Sequence, residues 1–140
     1  MKRTITILLL LLILFTIAPA QEDTEFNERV LAPTEWMLGN WVDAGESIGF
    51  EITKTDIRML FSSYGGFMEM ATASGGQAIV DVDSVATGYY AFYYLVPAAG
   101  IVQHYKFIRK SETTLEYTLK HGEEVMMGPI ILKKKKVSLH

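Results

Sequence analysis

Hydrophobic and polar residues alternate along much of the chain, beginning near residue 48. Ile48, Phe50 and Ile52 share one phase, and Glu51 lies in the other. Similar segments follow at short intervals, separated by groups rich in Gly, Pro, Ser or Asp. Alternation between turn signals is typical of β-strands with one buried face. The pattern therefore predicts about eight or nine short strands, with the segment FMEMATA, residues 67–73, among them.

The connections between these segments are short enough for hairpins, so neighbouring strands should pair antiparallel. A long meander tends to close on itself, because closure removes both unpaired edges. We predict an all-β fold, an up-and-down antiparallel β-barrel of about eight strands. A short N-terminal helix over residues 31–38 should precede it, since Pro33 suits a first helical turn and Gly39 ends it. An open two-sheet sandwich is the alternative architecture.

One segment, GYYAFYYLV at residues 88–96, carries aromatic residues on both phases. The phase that contains Tyr90 and Phe92 is the more apolar, so we predict that it faces inward. Tyr89 and Tyr93 then face outward. Aromatic surface on both sides of one strand suits a buried ligand, a bound partner or packing alone.

The first twenty residues resemble a secretory signal peptide. Lys2 and Arg3 precede the apolar run ITILLLLLILFTI, and the sequence APA follows before Gln21. The unbroken apolar core is shorter than the ~20 residues that span a bilayer, so cleavage is favoured over a membrane anchor. We expect a signal peptide at 1–20, a flexible lead at 21–30, one domain at 31–136 and a tail at 137–140. The expected location is the periplasm or the medium.

Composition narrows the class of protein further. The chain contains no cysteine, so an exported domain would fold without disulfides, which favours a bacterial origin. Removal of Lys2 and Arg3 takes the net charge from −3 to −5, which argues against nucleic acid as a partner. The basic run at 133–136 is expected to be a solvated chain end.

The segment WMLGNWVD, residues 36–43, contains Gly39-x-Trp41 before the first strand. This resembles the G-x-W signature of lipocalins and the wider calycin superfamily, and above all their compact bacterial lipocalin-like domains. The resemblance implies that Trp41 plugs the closed end of the barrel beneath a basic residue from the last strands. Arg109 is the best match for that residue. The resemblance also implies a small hydrophobic or amphipathic ligand inside the barrel.

An eight-stranded barrel is just wide enough to be filled by side chains or to hold one small ligand. The candidate lining consists of large apolar residues predicted to point inward. They are Phe50, Met59, Phe61, Met68, Met70, Phe92, Tyr105 and Tyr117. The alternative is a packed barrel without a ligand that serves as a protein-interaction or inhibitor scaffold. The oligomeric state is left open.

Catalytic and metal-binding patterns are weak in this sequence. His104, His121 and His140 are scattered, whereas a metal site needs three or four convergent ligands. Asp81 and Asp83 share one strand face, but the spacing of a calcium-binding loop is absent. His104 is expected to be a solvated strand residue. No phosphate loop or nucleophile elbow is present. We therefore predict a non-enzyme without cofactor or metal.

A small outer-membrane barrel is a further alternative, and it is disfavoured. Such a barrel needs apolar residues on the outer phase of every strand. The predicted outer phase instead carries charged residues on several strands. They are Glu51, Arg58, Asp81, Lys106 and Glu116.

Overall fold

The computed structural model describes residues 30–136. The predicted signal peptide, nearly all of the predicted lead and the predicted tail lie outside the described residues, and His140 lies there too. Within the described range the structure contains eight strands and one α-helix. The strands are β1 Gly39–Val42, β2 Gly49–Ile52, β3 Ile57–Met59, β4 Ile79–Ala86, β5 Tyr89–Val96, β6 Ile101–Ser111, β7 Thr114–His121 and β8 Glu124–Lys135.

The eight strands form one antiparallel sheet in the order β3-β2-β1-β8-β7-β6-β5-β4. The all-β class and the antiparallel meander are confirmed. The first and last strands are neighbours, and Trp41 of β1 pairs with Lys134 of β8. Strands β3 and β4 do not pair with each other, so the sheet is curled but open. This corrects the prediction of a closed barrel.

The opening exists because residues 67–73 are not a strand. They form α1, Phe67–Ala73, which contacts both edge strands, β3 and β4. Its Met, Glu and Ala residues are strong helix formers, and Phe67, Met70 and Ala71 share one helical face. Seven residues are too few to show whether the period is two or 3.6, which explains the wrong strand prediction.

The predicted helix over residues 31–38 is reduced to a single 3-10 turn, Glu35–Met37. Leu38 already has extended backbone angles, φ −65° and ψ 135°, so the chain passes directly into β1. Met37 is fully buried, and its carbonyl accepts a hydrogen bond from Trp41 Nε1 at 2.7 Å. The turn therefore fixes the entry of the chain into the sheet.

The hydrophobic core lies on the concave side of the curled sheet. Its largest fully buried side chains come from β1, β2, β5, β6 and α1, which places one continuous core under the whole curve. They include Trp41, Phe50, Phe67, Tyr90, Phe92 and Phe107. A core of this composition is dominated by aromatic rings, each of which buries a large apolar area.

Candidate functional site

Four residues of the candidate lining meet in the centre of the concave side. Phe92 stacks on Tyr105 with ring centroids 5.1 Å apart, and Phe50 meets Tyr117 edge-on at 4.7 Å. All four side chains are buried. The period-two alternation placed them correctly because they lie within regular strands, where every second residue faces the core.

A fifth ring, from α1, completes this group. Phe67 is 1% exposed, and its ring lies 5.2 Å from that of Phe92 and 4.8 Å from that of Tyr105. The ring of Tyr94 lies 5.4 Å from the Phe67 ring. Phe67 is not part of the candidate lining, because its segment is predicted to be a strand with Met68 and Met70 facing inward. We call Phe50, Phe67, Phe92, Tyr105, Phe107 and Tyr117 the aromatic cluster.

The rings of the aromatic cluster meet on the concave side of the sheet, where the lipocalin resemblance implies a ligand. Phe50 also meets Phe107 edge-on at 5.1 Å, so the rings contact one another along the sheet. Two surface depressions among the described residues lie outside this region, beside Asp56 and Glu69. Neither is lined by an aromatic residue. All six side chains of the aromatic cluster are buried, with at most 3% exposure.

The remaining members of the candidate lining lie at the margin of the core or outside it. Met59, Met68 and Met70 are half-buried and pack against the core from its edge. Phe61 is 60% exposed, which corrects its predicted inward position. Strand β3 ends at Met59, and Phe61 has a positive φ of 62°, so the alternation stops before it.

Asp56, in the turn before β3, holds α1 in place. Its carboxylate accepts hydrogen bonds from the backbone N–H groups of Met68 at 2.9 Å and Glu69 at 3.2 Å. It also accepts one from its neighbour Ile57 at 2.8 Å. Gly66 lies so close that a Cβ there would collide with the Asp56 carboxylate. A distant side chain thus satisfies helix N–H groups that no residue within the helix can bond.

Trp41 is fully buried near the junction of β1 and β8, as the G-x-W resemblance implies. The cation above its ring is Lys134, whose Nζ lies 5.6 Å from the ring centroid. Gly39 has φ 126°, and a Cβ there would meet Lys134 Cε at 2.9 Å. Arg109, the predicted partner, is exposed on β6, where it pairs with Leu115 of β7. The basic residue comes from β8 because β8 is the strand that pairs with β1.

The buried tyrosines carry no charge near neutral pH. Burial raises the pKa of Tyr105 to about 12, and its hydroxyl donates a hydrogen bond to Gln103 Oε1 at 2.9 Å. Burial also raises the pKa of Tyr117. The pKa of Tyr90 is raised for the same reason, and its hydroxyl accepts a hydrogen bond from the Ala32 N–H at 3.1 Å. Burial therefore favours the neutral form of these phenols, which packs against apolar neighbours.

The outward tyrosines of β5 belong to a small polar cluster on the convex face. The ring of Tyr93 lies 4.4 Å from that of His104, and His104 Nε2 lies 3.2 Å from Asp83 Oδ2. Burial, Asp83 and Tyr93 together raise the pKa of Tyr89. The side chain of His104 is 14% exposed, so it is less solvated than predicted. Within residues 30–136, no three His, Asp or Glu side chains are grouped to hold a metal.

The last strand, β8, presents a free edge that the alternation pattern does not predict. It pairs with β7 along nearly its whole length, but β1 reaches only residues 133–135. On the other side of residues 124–132 no described strand is paired, and we call this segment the β8 edge. Its exposed apolar side chains are Val125, Met126, Met127 and Ile131, with exposed fractions between 37% and 61%.

Comparison with known proteins gives no relative from which to assign this arrangement: no protein-family model, no curated protein and no solved structure matches the chain. In the part of the chain that the structure describes, no helix has the length and apolar character needed to cross a membrane. The contacts and exposures above are therefore the basis for any functional conclusion.

Proposed function

We propose that this protein is an exported interaction module of lipocalin-like architecture. Its aromatic interior acts as a rigid scaffold, and the β8 edge binds another polypeptide. The observation that carries the proposal is the β8 edge itself, where backbone groups that no described strand pairs coincide with four exposed apolar side chains. Edges of this kind bind extended chains by strand addition.

Two further features support the proposal. A side chain of the protein's own, Phe67, occupies the centre of the aromatic cluster, which favours a scaffold over a container. The pairing of β1 with β8 and the burial of Trp41 under Lys134 support the lipocalin-like class. Export rests on the leader-like sequence of residues 1–20. The proposal assigns no catalytic residue, cofactor or metal.

Site-specific photo-crosslinking in the producing cell tests this function. A photoreactive residue at position 126, on the β8 edge, should crosslink to a polypeptide. The matched control is position 61, since Met126 and Phe61 are exposed to nearly the same extent, 61% and 60%. Equal crosslinking from the two positions would contradict the proposal.

A small apolar ligand in the interior is the second candidate function, and one observation favours it. Helix α1 contacts the two edge strands between which the sheet is open, and Phe67 is its fully buried anchor. Glycine pairs at 65–66 and 75–76 flank it. An incoming ring or acyl chain could replace the Phe67 ring if α1 swung outward.

Solvent extraction and native mass spectrometry of protein purified from its own compartment separate the two functions. The scaffold function predicts no retained small molecule and slow amide exchange in α1. A stoichiometric lipid or aromatic compound, whose removal speeds exchange in α1, would instead support the ligand-binding function.

A further inference from the structure

The β8 edge carries charges of opposite sign at its two ends. Glu123 and Glu124 stand at its start, and the basic run 133–136 follows its end. These charged residues are exposed. Two such edges placed side by side in antiparallel directions would bring the acidic start of each copy to the basic end of the other.

The same antiparallel arrangement places apolar residues of one β8 edge opposite apolar residues of the other. Val125 and Ile131 pair with Lys120 and Glu116 of β7, two residues of the sheet's polar outer phase, and both are exposed. They lie three residues before and three residues after Gly128. In an antiparallel pair centred on Gly128, Val125 of one copy therefore lies opposite Ile131 of the other. Glu124 then lies opposite Leu132, next to the basic run of the other copy.

The edge strand β4 does not share this self-complementarity. Its sequence, IVDVDSVA, contains Asp81 and Asp83 and no basic residue. Two antiparallel copies of β4 would bring like charges together, which is destabilising across a strand pair. Strand β3, at the other end of the sheet, is only three residues long. Among the described strands, β8 is the one suited to pairing with itself.

We propose that the polypeptide bound at the β8 edge is a second copy of this chain, joined by antiparallel pairing of the two β8 strands about a twofold axis near Gly128. The inference rests on the proposed interaction function and names its partner. Both copies use the same edge, the β8 edge, so the assembly closes at two chains. Pro129 offers no N–H, and the irregular pairing of β8 with β7 near residues 127–130 restricts the register that a second strand can adopt.

Analytical ultracentrifugation and native mass spectrometry of the mature chain, residues 21–140, test the inference. The wild-type protein should form a dimer whose dissociation constant rises at least tenfold in Val125→Lys. The matched control is Ile79→Lys, which places the same charge on an exposed apolar site of β4 and should leave the dimer intact. Circular dichroism confirms that both variants are folded.

A charge exchange tests the predicted register. The first variant carries Glu123→Lys and Glu124→Lys, and the second carries Lys133→Glu and Lys136→Glu. Each variant alone should form a weaker dimer than the wild-type protein. Mixing the two variants should produce a mixed dimer, because the acidic start of the second variant meets the basic end of the first, and the basic start of the first meets the new Glu residues at the end of the second. Mixing that produces no mixed dimer would overturn the antiparallel arrangement.

The remaining outcomes separate this inference from the proposed function. A monomer without a small molecule would show that the bound polypeptide is not a second copy of this chain. It would not contradict the proposed interaction function. A monomer that retains a small molecule would overturn both. A dimer weakened equally by Ile79→Lys would overturn the assignment to the β8 edge. A monomer that dimerises only after deletion of residues 21–29 would show that the chain covers its own edge, which also overturns the inference.

Discussion

At the scale of single residues, Asp56 shows how one side chain can organise a distant element. It lies in the turn before β3 and bonds the first N–H groups of α1. Without those bonds, the start of a seven-residue helix would depend on water for its donors. The position of α1 over the opening of the sheet therefore depends on a residue outside α1.

We predict that Asp56→Ala lowers the free energy of unfolding by about 1–2 kcal/mol, the usual cost of a lost helix cap. Asp56→Asn should cost less, because its amide oxygen keeps one acceptor. Urea denaturation followed by circular dichroism measures both. Asp81→Ala removes the same charge without removing a cap and is the matched control. Equal destabilisation by the Asp56 and Asp81 variants to Ala would show that the cap contributes nothing.

The Gly39-x-Trp41 motif shows what single residues reveal in the sequence and what they hide. The motif located a buried tryptophan at the start of β1. Its cation was wrongly expected from Arg109, because the strand that pairs with β1 is set by long-range closure. Its composition predicts that the basic run at 133–136 is a solvated chain end, whereas Lys134 lies over the Trp41 ring. Local composition could not distinguish a strand end from a tail.

At the scale of elements, α1 replaces the strand expected between β3 and β4. It is attached to the core chiefly by Phe67, which touches three other rings. Aromatic pairs contribute about 0.5–1.5 kcal/mol each beyond the area that they bury. The helix and the aromatic cluster therefore stabilise each other. The loop that connects β3 to α1 is exposed, as Tyr64 shows.

We predict that Phe67→Ala lowers the free energy of unfolding by about 3–5 kcal/mol, since it leaves a cavity among packed rings. Phe61→Ala, six residues earlier, should change it by less than about 0.5 kcal/mol, because that ring is exposed. Chemical denaturation of both variants measures the difference. A loss of the same size for the two would contradict the placement of α1 in the core.

At the scale of the whole molecule, the sequence predicted the class, the strand count and the inward phase of the longer strands. Period-two alternation is a local signal, and Phe92, Tyr105 and Tyr117 lie where regular strands carry it. The opening of the sheet was not predictable in this way. It depends on one short segment with two compatible periods and on an aspartate twelve residues away. The β8 edge was missed because pairing partners, not composition, determine which part of a strand is left free.

The aromatic cluster also sets how the stability of the whole fold depends on pH. Burial raises the pKa of Tyr105 to about 12 and raises that of Tyr117 as well. The folded state therefore keeps protons that the unfolded state releases above pH of about 10. The stability due to the neutral phenols is complete below that pH and is lost as the pH rises through the folded pKa. For Tyr105 alone the loss is about 2–3 kcal/mol.

We predict that the denaturant concentration at the midpoint of unfolding is constant between pH of about 8 and 9. It should fall steeply from pH of about 10 to 12. Tyr105→Phe should flatten this fall, because phenylalanine has no proton to release. Tyr64→Phe, at an exposed position, should leave the fall unchanged. The part of the tyrosinate absorbance that Tyr105→Phe removes should rise in step with unfolding. Absorbance that rises fully while the protein remains folded would mean that water reaches these phenols, and the interior would then not be the packed scaffold that the proposed function requires.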